Sequence, residues 1–154
     1  MIAVAIGVAV IACKTSVPVP DGDVAAMLTA AASADDTRAF DPASLRGKPT
    51  LVLFASPTCP YCSEELPIAQ HAAAAENANV VAVYIAGMKK HAASVTQSLG
   101  YAGVVLVDDG TLRKLYDVKS VPFTLILGAD GRAQQAFRGL QDEATLRGAL
   151  ADAR

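Results

Sequence analysis

Cys59 and Cys62 stand three apart, with Pro60 and Tyr61 between them. Thiols at this spacing can close into a small disulfide ring and reopen, which is the chemistry of a dithiol–disulfide couple. An apolar run, Thr50 to Ala55, precedes the pair, and a helix-compatible stretch, Ser63 to Ala69, follows it. The motif therefore falls where a strand turns into a helix. At a helix N-terminus the unpaired amides and the positive dipole end favour thiolate over thiol. Cys59 is the expected attacking nucleophile, with a thiol pKa below the ordinary value of about 8.5. Cys62, one turn further in, is suited to resolving the mixed disulfide. Pro60 falls in the first turn, where its missing N–H costs nothing. Together with Tyr61 it is expected to tune the redox poise.

Glu65 lies three residues after Cys62, on the same predicted helical face. If buried there, its carboxyl would be pushed up by desolvation and could take or return the proton of the Cys62 thiol. The same Cys-x-x-Cys spacing also occurs in metal sites. A tetrahedral zinc site needs four ligands, and only His71 and His91 are available as histidine partners. Neither has a motif-like spacing, and both read as surface residues. No metal and no dissociable cofactor is expected; the redox-active Cys59–Cys62 disulfide is the reactive group. A copper-binding or metal-delivery use of the two thiols is the alternative from a different class.

The chain has 154 residues, 53% of them hydrophobic, enough for one domain with a real core. A formal net charge of −2 leaves no basic footprint for nucleic acid. A monomer is expected. Residues 1–12 carry no charge and end at Cys13. Such a run is shorter than the about 20 residues needed to span a bilayer and has the length of a signal-peptide apolar region. Val10-Ile11-Ala12-Cys13 resembles the bacterial lipobox, which implies lipidation at Cys13. Residues 1–13 are thus read as a signal or lipobox-like segment. Residues 14–38 are read as a tether with a short helix from Val24 to Ala34, and 39–154 as the folded domain. That places the domain outside the cytoplasm, membrane-anchored through its N-terminus.

Beyond the tether, strands and helices alternate. Strands are predicted at 50–55, 80–85, 104–107, 123–127 and 133–138, and helices at 59–77, 89–99, 111–116 and 142–153. Asp130-Gly131 marks a hairpin turn, and Asp142 is the expected N-cap of the last helix. The order describes an α/β fold, a central mixed sheet flanked by helices on both faces.

Over about residues 40–153 the chain resembles the thioredoxin-like superfamily, and within it the membrane-tethered TlpA/ResA type of thiol–disulfide oxidoreductase. Four segments carry the resemblance in order: Leu45-Arg46-Gly47-Lys48-Pro49 before an apolar strand; Cys59-Pro60-Tyr61-Cys62; Glu65-Leu66-Pro67; and Tyr116 to Thr124 with Asp130-Gly131 beyond. Two positions depart from the family pattern: Thr58 stands where Trp is usual. Leu53 stands where a buried Asp or Asn is usual, so no proton can pass through it. The resemblance implies a thioredoxin-like fold and supports Glu65 as the acid–base group. It implies a cis peptide at Pro122 facing the disulfide, with the backbone of Val121 free to pair with an extended substrate segment. It also implies protein thiol or disulfide substrates and a membrane dithiol donor. A reductant is favoured over an oxidase or isomerase.

Overall fold

The computed structural model describes residues 17–35, 39–86 and 89–154. In chain order its elements are α1 (Val24–Met27), β1 (Ala32–Ser33), β2 (Thr50–Ala55), α2 (Pro60–Ala75), β3 (Asn79–Tyr84), α3 (Lys89–Ser98), β4 (Val104–Val107), α4 (Thr111–Leu115), β5 (Phe123–Leu127), β6 (Ala133–Arg138) and α5 (Glu143–Asp152). Short 3₁₀ turns follow α1 and precede β2. The six strands form one sheet in the order β1-β4-β3-β2-β5-β6. β2, β3 and β4 run parallel; β5 lies antiparallel to β2, β6 to β5, and β1 to β4. The fold class, a mixed α/β sheet of thioredoxin-like topology, is the expected one.

β2 sits in the middle because it is apolar on both faces. Alternation sends Leu51, Leu53 and Ala55 to one side, where they meet Leu66 and Ala69 of α2 and Leu146 and Leu150 of α5. Val52 and Phe54 point the other way, toward Leu112, Val118 and Phe123. All six β2 residues are buried, and each large apolar side chain so covered contributes about 1.5–3 kcal/mol. The ends are set by local chemistry. Gly131 adopts φ +81° in the β5–β6 turn, a conformation open to glycine. Asp142 caps α5 by accepting the Thr145 N–H at 2.7 Å. Pro67 lies within α2.

The N-terminal boundary differs from the expectation. Residues 24–33 are not a tether: Val24, Ala25 and Leu28 are fully buried in the layer beneath Val81, Val83 and Leu106. Ala25 N–H donates to Gly131 O at 3.1 Å, and β1 pairs with β4 through Ala32↔Val107 and Ser33↔Leu106. Arg46 ties the same corner, its guanidinium reaching Asp23 and the carbonyl of Asp130. The physical reason is tertiary: a four-residue helix and a two-residue strand gain stability from what they cover. Cys13 and the apolar segment before it lie outside the described residues. No described helix is long and apolar enough to cross a membrane.

Candidate active site

The topology brings two loops to one end of the sheet. β2 and β5 are antiparallel with Phe54 opposite Phe123. The chain leaving β2 therefore ends beside the chain entering β5. The first contains Ser56-Pro57-Thr58-Cys59; the second is Ser120-Val121-Pro122.

Cys59 is the N-cap of the 16-residue α2. It is bonded to Cys62, with their α-carbons 5.3 Å apart. The Cys59 sulfur accepts the Cys62 N–H at 3.2 Å, the place a capping oxygen would take. In the dithiol state the same amide and the helix dipole favour negative charge on that sulfur. Cys59 is half-buried while Cys62 is 3% exposed, so a partner can reach only the first sulfur readily. Pro60 and Tyr61 are exposed, Tyr61 strongly so. Opposite them the Val121–Pro122 peptide is cis. The Val121 carbonyl lies 3.8 Å from the Cys59 sulfur. The Val121 N–H has no partner among the described residues. One face thus presents a sulfur beside unpaired backbone.

Glu65 is fully buried. Its Oε1 accepts from the Thr124 hydroxyl at 2.7 Å, and its Oε2 from the Gln141 N–H at 3.1 Å. Burial pushes the carboxyl pKa up from its ordinary value, while these two donors pull it back. Neither bond goes to a sulfur, although Cys62 stands one turn back on the same helix. Thr124 and Gln141 carried no signal in the sequence. Thr124 lies 59 positions from Glu65 and Gln141 76, and only strand register and the turn into α5 join them. Leu53, directly across from Thr124, is apolar and buried, as its residue type requires. His71 and His91 are exposed. Among the described residues no three His, Cys, Asp or Glu side chains gather as a metal site would require.

The thioredoxin-like domain family matches residues 37–154, which span every element from β2 to α5. The chain belongs to that family. Its relatives include the methylamine utilization protein MauD of Methylobacillus flagellatus, 31% identical over 88 residues. That alignment covers 57% of this chain and 42% of MauD, so the chain matches about two fifths of that relative's length. A secreted Mycobacterium tuberculosis disulfide oxidoreductase homologous to E. coli DsbE superposes with a TM-score of 0.67 at 27% identity. It covers 81% of this chain and 96% of its own. The structure of MTB DsbF in mixed oxidised and reduced forms superposes with a TM-score of 0.73 at 22% identity, covering 84% and 98%. The thioredoxin-like chain therefore has a thiol–disulfide oxidoreductase-type fold with a disulfide-forming Cys59–Cys62 pair.

Proposed function

We propose that this protein is an extracytoplasmic thiol–disulfide oxidoreductase that reduces disulfides in protein partners and is held at a membrane through its N-terminal segment. One observation carries the reading: the more accessible sulfur of the pair caps α2 and lies 3.8 Å from the Val121 carbonyl at the cis peptide. A partner strand laid along Val121 would find both a backbone to pair with and a sulfur to react with.

In the reduced state the Cys59 thiolate attacks one sulfur of the partner's disulfide, and the partner's other sulfur leaves as thiolate. Cys62 then gives up its proton and attacks the Cys59 sulfur. The partner's second thiolate departs and the Cys59–Cys62 disulfide is restored. Two electrons pass to the partner. Glu65 serves as acceptor of the Cys62 proton, Val121 and Pro122 position the substrate, and Pro60 and Tyr61 set the poise. No dissociable cofactor takes part. A membrane dithiol carrier must return the electrons.

Support for the location comes from the secreted relative and from the apolar segment ending at Cys13, the proposed lipid attachment site. Direction is tested by the reduction potential. A value near about −270 mV marks a reductant and one near about −120 mV an oxidant, and the latter would overturn this direction. Substrate class is tested by trapping. Cys62→Ser should stall protein partners on Cys59 as mixed disulfides in the native host, and Cys59→Ser should trap none. Stoichiometric Cu(I) binding by the reduced chain, abolished by loss of either Cys59 or Cys62, together with no protein trapped by Cys62→Ser, would move the reading to metal delivery.

A further inference from the structure

Glu65 is held by two donors of different kinds. The Gln141 backbone N–H, at 3.1 Å from Oε2, can only donate. The Thr124 hydroxyl, at 2.7 Å from Oε1, can donate or accept. When Glu65 is a carboxylate, both groups donate to it. When it is protonated, the new O–H needs an acceptor, and the Thr124 oxygen is the partner able to serve. The better-accepting carbonyl oxygen of the acid then stays on Gln141.

We propose that Thr124 is the positioning residue for the Glu65 proton: its hydroxyl reverses from donor to acceptor, fixes that proton on Oε1, and so sets the pH at which Glu65 can accept the proton of Cys62. The register puts Thr124 where this is possible. It pairs directly with Leu53, so the two side chains share the face of the sheet covered by α2. Leu53 cannot exchange a proton, and the polar contact to α2 comes from the neighbouring strand instead.

The surroundings leave few rivals for control of this proton. On α2 the nearest titratable groups are Cys62, one turn back, and Glu64, which is exposed. β5 contributes Thr124, β2 contributes Leu53, and β3 contributes Tyr84, buried on the same face with its phenol pKa pushed up to about 12 and so neutral; on α5, Glu143 and Arg147 are exposed. Arg138 at the end of β6 is exposed, and Asp142 beside Gln141 is engaged in capping α5. No charged side chain pairs with Glu65 among the described residues. Desolvation raises its pKa, and the hydrogen bonds from Thr124 and Gln141 oppose that rise.

The kinetic part of this inference rests on the exchange reading above; the titration part does not. The test uses the full chain with Glu65 followed by carboxyl ¹³C NMR, and the rate of reaction with a peptide disulfide followed against pH. Thr124→Val removes the donor to the charged form and should raise the Glu65 titration by about half a pH unit or more, moving the acid limb of the rate profile with it. Thr124→Ser should restore both. In a Glu65→Gln background Thr124→Val should leave the shape of the pH–rate profile unchanged. If the Val variant does not fold, Thr124→Ala takes its place with the same readings. A Val variant titrating with the wild type, or a Ser variant displaced as far as Val, overturns the proposal. A chain that shows the Thr124-dependent titration yet reduces no disulfide would sink the exchange reading and leave this one standing.

Discussion

Glu65 places a titratable group where the fold would otherwise want an apolar one, and that conflict has a measurable sign. Burial raises its folded pKa above the ordinary 4.5, with the Thr124 and Gln141 hydrogen bonds opposing. Between the ordinary and the raised value the folded chain binds more protons than the unfolded chain, so stability falls as pH rises through that window. The contribution is full below the ordinary value and gone above the folded one. Glu65→Gln keeps the shape, donates to the Thr124 oxygen and accepts from the Gln141 N–H, without a charge to desolvate. Its urea midpoint should vary less between acid and neutral pH, and at pH 8 should equal or exceed that of the wild type. The same variant should slow resolution by Cys62, on the order of 100-fold, because the proton acceptor is gone. An unchanged slope of stability against pH would mean that burial of this carboxyl costs the fold nothing.

Among the elements, β2 to α5 were legible because each announces itself within its own segment. β2 and β3 are unbroken apolar runs. Gly100 at φ +67° ends the α3 region, Gly131 at φ +81° closes the hairpin, and Asp142 caps the last helix. The Cys-x-x-Cys site was legible for the same reason, since its two sulfurs share one turn. The partners of Glu65 were not, because they depend on register between distant strands. Nor was the N-terminal cover. α1 has four residues and β1 two, too few to display a period, and the surrounding alanines fit helix or tether equally. Leu28 decides what that segment is worth. It is fully buried among the residues on the α4 side of the sheet. Leu28→Ala should cost about 2–5 kcal/mol in chemical unfolding. A loss below about 0.5 kcal/mol, the scale of a surface change, would return residues 24–33 to the role of a tether.

At the scale of the whole molecule, redox direction and folding stability are one quantity seen from two sides. Folding and disulfide closure form a thermodynamic cycle. The oxidised and reduced chains differ in unfolding free energy by the amount by which folding favours closing the Cys59–Cys62 ring. An oxidant stabilises its reduced form, chiefly by making the nucleophilic thiolate comfortable at the helix terminus. A reductant must do the reverse, so that the folded chain holds its disulfide more firmly than the unfolded chain does. Two features here bear on the balance. The Cys62 N–H and the α2 dipole favour a Cys59 thiolate and so favour the reduced state. Against this, the folded turn into α2 holds the two α-carbons 5.3 Å apart, within the range a disulfide needs, a placement the unfolded chain reaches only at an entropic cost. The proposed direction requires the second effect to win. Urea unfolding of the oxidised chain should therefore show a higher midpoint than that of the reduced chain. Each 1.4 kcal/mol of the difference corresponds to about 30 mV of potential relative to the unfolded dithiol. Cys62→Ala should bring the stability close to that of the reduced wild type, since it removes the ring while keeping the cap. A reduced chain that outlasts the oxidised one would assign the protein to disulfide donation, with the site geometry unchanged.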